Sequence, residues 1–387
     1  MRHRAAIVGA GHTRFGVLDV GPRELVRTAV DQAVASVDRG VDRHEIGEMF
    51  LATLGFGGWQ IGNVAAVLAE EAGAVGTPTH RIENACASGG FALRSAVRAI
   101  ESGAVNLALA VGLEKMTDSP NPRRRYWLGV SGDTEWERTA GLTFAGVYGL
   151  IAARYLAEYH VGPEALAEVA VKNHANGARN PNAHFQKVVR REDVLSSPRV
   201  ADPLGLYDCC PVSDGAASIL LTRTEIAHRF TDTPVYVDGV GAGSDHLAVQ
   251  ERPDLTRFAA SRRAAEEALR SADRSRDRIS FLEVHDCFTI AELLALEDLG
   301  FAGPGEAARM TLDGVTRREG RLPVNPDGGL KAKGHPIGAT GISQAYEAFL
   351  QLRSAAGPRQ VSGAESALLH NVGGAGATAA VTICSVG

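Results

Sequence analysis

The chain begins the same way twice. At residues 2–14, "RHRAAIVGAGHTR" is a short apolar run that ends in G-A-G and a polar turn; "TPVYVDGVGAGSD", at 233–245, repeats the device. A helical pattern follows each, first "RELVRTAVDQAVASVDRG" and later "RRAAEEALRSA". Each half then offers a further strand and helix, "EIGEMFLATL" with "IGNVAAVLAEEAG" and "ISFLEVHDCFTIAELLALEDLG". Small residues open a later helix in both halves, in "NACASGGFALRSAVRAI" and in "GGLKAKGHPIGATGISQAYEAFLQLR". Recurrence of one element order restricts the fold to two similar α/β halves, about 1–228 and 232–387. A length of 387 residues suits two such units better than one core.

The strand-and-helix rhythm lapses once. "NLALAVGLEKM" and "VSDGAASILLTRTEIA" read as buried strands of the first half, and about 115–200 lies between them as an insertion. The insertion opens with the polar, irregular "TDSPNPRRRYWLGVSGDTEWERT". It continues in two helical stretches, "TFAGVYGLIAARYLAEYH" and "PEALAEVAVKNHANGAR". Insertions of this length are usually functional or interaction segments.

The net charge of −5 leaves no global basic field, so neither nucleic acid nor an anionic membrane is an expected partner. No apolar run reaches the roughly 20 residues that span a bilayer. The five cysteines are odd in number and form no CxxC pair, which excludes a zinc ribbon or a disulfide framework. With no leader pattern at the N-terminus, a reduced cytoplasmic enzyme is expected.

Four stretches carry chemistry. Cys86 in "NACASGG" lies at the mouth of a helix, where the dipole and free N–H groups favour thiolate, so a lowered pKa is expected. A structural cysteine among small residues is the alternative. His335 in "GHPIGATG" sits in the corresponding place of the second half, in a stretch too glycine-rich for core helix. Its imidazole can take a proton from a thiol or hydrogen-bond a carbonyl oxygen. "EVHDCF" puts His285, Asp286 and Cys287 at a strand end, where α/β proteins tend to build sites. Metal binding there is disfavoured because no CxxC or HxxxH partner accompanies it. "LLHNVGGAG" offers His370 and Asn371 before a glycine turn that matches no phosphate-binding motif, so a backbone N–H such as that of Gly373 facing an oxyanion is the alternative. His174 and His184 read as packing or surface residues, and the Cys209–Cys210 pair as structural.

Together "NACASGG", "KNHANGARNPNAHF", "YDCCPVSDGAASILL", "EVHDCF", "GGLKAKGHPIGATG" and "HNVGGAG" resemble, in order and over almost the whole chain, the thiolase superfamily. The likeness is to the branch of the sterol carrier protein X (SCP2-type) thiolases. It implies a five-layered αβαβα fold with two pseudo-symmetric halves and an inserted loop domain. It also implies a CoA-dependent acyltransferase that makes or cleaves 3-ketoacyl-CoA. By resemblance Cys86 is the nucleophile and His335 activates it and helps bind the thioester oxygen. Cys287 is the second thiol, and His285 stands where ordinary thiolases have an asparagine. Asn371 stands where they have their second cysteine. The N–H groups of Cys86 and Gly373 would form an oxyanion hole, with Asn371, His370 and Asp286 as supporting residues. The resemblance implies CoA thioesters as substrates, no covalently bound cofactor and no metal. The expected assembly is a homodimer or tetramer, with an OB-fold zinc-ribbon (DUF35-like) protein as a further partner. Alternatives are a thiolase-like aldolase or condensing subunit, or acylation of a natural-product acceptor.

Overall fold

The computed structural model describes residues 4–55 and 58–387; residues 1–3 of the first half and 56–57 lie outside the described residues. Eleven strands are seen among the described residues, nine of them in one sheet ordered β3-β2-β4-β7-β1-β8-β11-β10-β9. The first half supplies β1 (Ala5–His12), β2 (Glu48–Ala52), β3 (Thr79–Ile82), β4 (Leu107–Glu114) and β7 (Gly215–Thr222). The second supplies β8 (Val235–Ser244), β9 (Phe281–Glu283), β10 (Ser366–Gly373) and β11 (Thr378–Ser385). Counted outward from the β1–β8 junction, the first half runs β1-β7-β4-β2 and the second β8-β11-β10-β9, so in each the last two strands in sequence lie between the first and the second. The third strand of the first half, β3, has only a vestige opposite it, a parallel bridge between Leu282 and Val324. The junction is three residue pairs long, from Ala5 opposite Val237 to Ile7 opposite Val235.

The two halves of the sheet fold face to face over a shared helical layer. That layer is α3 (Ser88–Glu101) and α12 (Thr340–Leu352). Their apolar residues, among them Leu93, Val97, Ile342 and Phe349, bury with Ile219 and Leu369 from the two half-sheets in one core. A second core holds α1 (Pro22–Ala35) and α2 (Val64–Ala72) against the outer face of the first half. A third holds α8 (Ala259–Ala272) and α9 (Thr289–Asp298) against the second. The result is the five-layered mixed α/β arrangement that the family resemblance implies.

The insertion between β4 and β7 contains α4 (Asn121–Gly129), α5 (Phe144–Tyr159), α6 (Glu164–Gly177), the short α7 (Arg191–Leu195) and the hairpin β5 (Arg199–Ala201) with β6 (Leu204–Gly205). Helix α4 falls where the sequence reads as irregular. It has no fully buried residue, so it carries no apolar period to recognise. Although the insertion leaves the first half, α5 packs on the second: Val147, Tyr148, Ile151 and Tyr155 share a core with Phe288, Ile290 and Leu293.

The glycines of the two helix starts decide how close the halves come. A Cβ on Gly341 would lie 2.2 Å from the Gly90 nitrogen, and one on Gly89 would lie 2.7 Å from the Gly341 nitrogen. Helices α3 and α12 therefore meet backbone to backbone at their N-termini. The loops just before them, carrying Cys86 and His335, are brought to one place.

Candidate active site

Cys86 follows Ala85, which has φ 47°. That left-handed kink, unusual for a residue with a Cβ, turns the chain sharply out of β3 into α3. The turn is held by Ser88, whose hydroxyl donates to Ala85 O (2.6 Å) and accepts from Asn84 N (2.9 Å). His335 arrives from the second half, and His285 from the turn between β9 and α9. Ligand atoms of Cys86, His285 and His335 all lie within 4.8 Å of one another. The two imidazoles stand edge to face with centroids 5.0 Å apart. The Nε2 atom of each is buried without a hydrogen-bond partner among the described residues. Two ring nitrogens and a sulfur therefore converge on one small space.

Burial reverses the expectation for the thiol. Desolvation, then the neighbouring Cys210 and Glu114, push the Cys86 pKa up rather than down. A helix terminus contributes about 0.3–1 kcal/mol, less than one pKa unit, whereas burial shifts buried groups by several units. Cys86 rests as a neutral thiol and needs a base to become a nucleophile. Burial also lowers the His335 pKa to about 3, so its imidazole is uncharged at neutral pH. Thr340 Oγ1 donates to Pro336 O (3.0 Å) and lies 2.6 Å from His335 Nδ1. With its own proton spent on Pro336, the hydroxyl accepts from Nδ1–H. The lone pair of His335 is left on Nε2, facing the thiol.

Cys287 is buried in the same turn as His285. Burial first, and then Cys86, raise its pKa, while the nearby Tyr148 hydroxyl, which donates to Gly374 O (3.4 Å), opposes the rise. Tyr148 comes from α5 of the insertion and stacks on Phe288 at 4.5 Å. It was not legible as a site residue, since nothing local in "TFAGVYGL" shows that α5 crosses to the other half. Cys210 N donates to Cys287 O (3.0 Å), which agrees with a structural role for the 209–210 pair. His174 is buried against Phe185, with ring centroids 5.7 Å apart.

Asp286 points away from the thiols. It accepts from the backbone N–H groups of Leu330 (2.6 Å) and Lys331 (3.2 Å) and from Asn173 Nδ2 (2.7 Å). It thus ties the His285–Cys287 turn to α11 (Gly329–Ala332), three residues before His335. Burial and the nearby Glu292 raise its pKa to about 7. Asn371 and His370 are neighbours on β10 and so face opposite ways. Asn371 reaches Cys86, His285 and Gly90. The His370 ring turns to Ser261 on α8 (2.8 Å) and is not among the groups gathered at the centre. Gly373 ends β10 where a Cβ would lie 2.3 Å from Asn84 O and 3.2 Å from the Ala87 Cβ, so only glycine lets this backbone approach the Cys86 loop.

The spacing argument against a metal does not foresee this cluster, since its three donors come from three distant segments. By donor type and distance, Cys86, His285 and His335 also form a set that a soft divalent cation could enter. A cleft of about 400 Å³ opens beside the centre. Asn84, Ala85, Gly373 and Gly374 line its inner wall, and Trp127, Val130 and Ser131 from the insertion line its outer one.

Residues 5–225 match the family model "Thiolase, N-terminal domain", and residues 241–386 match "Thiolase C-terminal domain-like". The chain belongs to the thiolase family. This thiolase is 44% identical over 382 residues to an "Acetyl-CoA acetyltransferase" of Methanothermobacter thermautotrophicus, covering 98% of this chain and 99% of the relative. It is 30% identical to "Sterol carrier protein 2" of Gallus gallus, over 100% of this chain and 72% of that one. It is also 30% identical to "Benzoylsuccinyl-CoA thiolase subunit BbsB" of Thauera aromatica, over 98% and 97% of the two chains. These relatives place the thiolase in the SCP2-type branch and make it an enzyme of acyl-CoA transfer. Among solved structures, the "Ltp2-ChsH2(DUF35) aldolase" shares the fold with a TM-score of 0.86 at 23% identity, covering 99% of this chain and 97% of that one. No helix among the described residues is long and apolar enough to cross a membrane.

Proposed function

We propose that this thiolase makes and cleaves 3-ketoacyl-CoA by Claisen chemistry through an acyl group carried on Cys86. The observation that supports this best is the convergence of Cys86 with two buried, unpartnered imidazole nitrogens inside 4.8 Å. The Cys86 proton passes to His335 Nε2 as the sulfur attacks a thioester carbonyl. The oxyanion of that tetrahedral adduct faces the N–H groups of Cys86 and Gly373. Collapse expels CoA thiolate, which takes its proton from Cys287. The acyl-enzyme then holds an imidazolium at His335 and a thiolate at Cys287, with no net change in charge.

In the second half-reaction the Cys287 thiolate takes the α-proton of an incoming acetyl-CoA. The enolate oxygen lies between His335 Nε2–H⁺ and His285 Nε2–H. Its carbon attacks the acyl-Cys86 carbonyl, and the departing Cys86 thiolate recovers its proton from His335. Every group returns to its starting form. Oxyanion donors of this kind are worth about 3 kcal/mol each, a hundredfold or more in rate. The cleft beside Gly373 and Trp127 is suited to the acyl chain or the pantetheine arm.

Assembly as a homodimer or tetramer and pairing with an OB-fold zinc-ribbon chain belong to the same proposal; the likeness of fold to the "Ltp2-ChsH2(DUF35) aldolase" supports the pairing. Full activity of the thiolase purified as a single chain type would remove the need for that partner. The direct test is intact-protein mass after mixing with acyl-CoA and 3-ketoacyl-CoA donors. We expect an adduct with wild type, none with Cys86→Ala, and an adduct without C–C bond formation or cleavage with Cys287→Ala. No adduct from any donor in folded protein, or equal loss of both half-reactions in Cys287→Ala, overturns the proposal.

A further inference from the structure

Asn371 makes three hydrogen bonds, and the chemistry of its partners fixes which way its amide points. Gly90 N–H can only donate, so the atom 2.9 Å from it is Oδ1. The Cys86 carbonyl oxygen can only accept, so the atom 3.0 Å from it is Nδ2. The second proton of that NH2 group points to His285 Nδ1 at 3.2 Å. A neutral imidazole carries one proton, and a ring nitrogen that accepts a hydrogen bond does not hold it. The proton of His285 is therefore on Nε2, the atom that lies free in the space shared with Cys86 and His335.

From this we infer that Asn371 is a positioning residue that holds His285 in the Nε2–H form, making it a permanent donor to the substrate oxygen. The inference rests on the proposed Claisen reading and adds to it a division of work between the two histidines. Thr340 leaves His335 with a lone pair on Nε2 to act as the base, while Asn371 denies His285 that form. The same amide pins the Cys86 carbonyl and the start of α3, so tautomer and nucleophile loop share one support. Where ordinary thiolases carry a second thiol, this chain needs an amide. A carboxylate there would accept from Nδ1–H and leave Nε2 bare, and a thiol, a weak donor and weak acceptor, would fix neither form. The titratable groups near His285 are His335, Cys86 and Cys287 at the centre and His370, whose ring turns away to Ser261. Burial holds both histidines uncharged near pH 7 and both cysteines protonated, so none supplies a charge that competes with the amide.

The test begins with 15N-histidine NMR of the wild-type protein, with His285→Asn used to assign the signal. We expect the attached proton on Nε2 between pH 6 and 8; a proton on Nδ1 overturns the inference whatever the activity. The second measurement is the pH profile of Asn371→Asp. The carboxylate stabilises the His285 imidazolium, which still donates from Nε2. Above the raised pKa the remaining proton sits on Nδ1 toward the carboxylate and the donor is lost. Condensation by this variant should therefore fall at least tenfold, relative to wild type, as pH rises from about 5.5 to 8.5. Acylation of Cys86, followed by mass, loses the amide's support of the Cys86 carbonyl at every pH but should show no such fall across that range. A loss of condensation equal at every pH marks a merely structural role and refutes the inference. Absence of acyl-Cys86 in wild type sinks the Claisen reading instead, and leaves the NMR result to decide the tautomer.

Discussion

The backbone contact between the two helix starts makes the sharpest prediction. Gly341→Ala adds one carbon 2.2 Å from Gly90 N, 2.4 Å from Asn371 Oδ1 and 2.6 Å from Gly89 C. Two of these are backbone atoms of a central helix, and the third is held by Gly90 N and its own strand. An ordinary carbon contact needs about 3.4 Å or more, so α12 must withdraw from α3 by about 1 Å. Overpacking of this kind costs about 1–3 kcal/mol of stability. The withdrawal also carries the His335 loop away from Cys86, and a 1 Å misplacement at a reacting centre costs about 10²-fold in rate. Urea denaturation and the acylation rate measured on the same preparation read both effects. The control is Gly62→Ala, at a position where an added Cβ meets nothing within 4 Å. If Gly341→Ala acylates within twofold of wild type at unchanged stability, the contact between the two helix starts does not set the geometry of the site.

Three further outcomes follow from the buried groups. Because His335 is depressed to about 3 by burial, its base form persists above that pH. Acylation should therefore show no inflection between pH 5 and 7.5, and one near pH 6.5 that disappears in His335→Asn would contradict the assignment. Tyr148→Phe removes the hydroxyl that opposes the rise in the Cys287 pKa. It should slow carbon–carbon bond formation about tenfold, the order of one charge-assisted hydrogen bond, and leave the Cys86 acylation rate unchanged; equal slowing of both steps would place Tyr148 elsewhere in the reaction. Zn2+ added to the resting enzyme should inhibit reversibly by entering the Cys86–His285–His335 donor set. Prior acylation of Cys86 should protect. Unprotected inhibition, persisting in Cys86→Ala, would point to a different zinc site.

Much of the fold could be read from the chain because its signals are local. The apolar period of "RELVRTAVDQAVASVDRG" appears as α1, which ends at Ala35, short of the glycine stop at Gly40, and the unbroken run "NLALAVGLEKM" appears as β4 (Leu107–Glu114). Helix α4 was missed for the same reason, since with no buried residue it has no period. The residue types at the site were legible too: a cysteine and a histidine, each beside glycines before a helix, and a thiol in "EVHDCF".

What required the tertiary structure was every property set by neighbours distant in sequence. The Cys86 pKa rises because burial outweighs a helix terminus, and burial is not a local quantity. Tyr148 reaches Cys287 only because the insertion packs on the half it does not interrupt. His370 leaves the centre because β10 alternates faces, which matters only once the layers on each face are known. The tautomer of His285 depends on an amide 86 residues away. The sequence alone determined which atoms are available, since residue type and short-range period reside in the chain. The fold decided which atoms are dry, which are paired and which hold the proton, because desolvation and hydrogen bonding act through space.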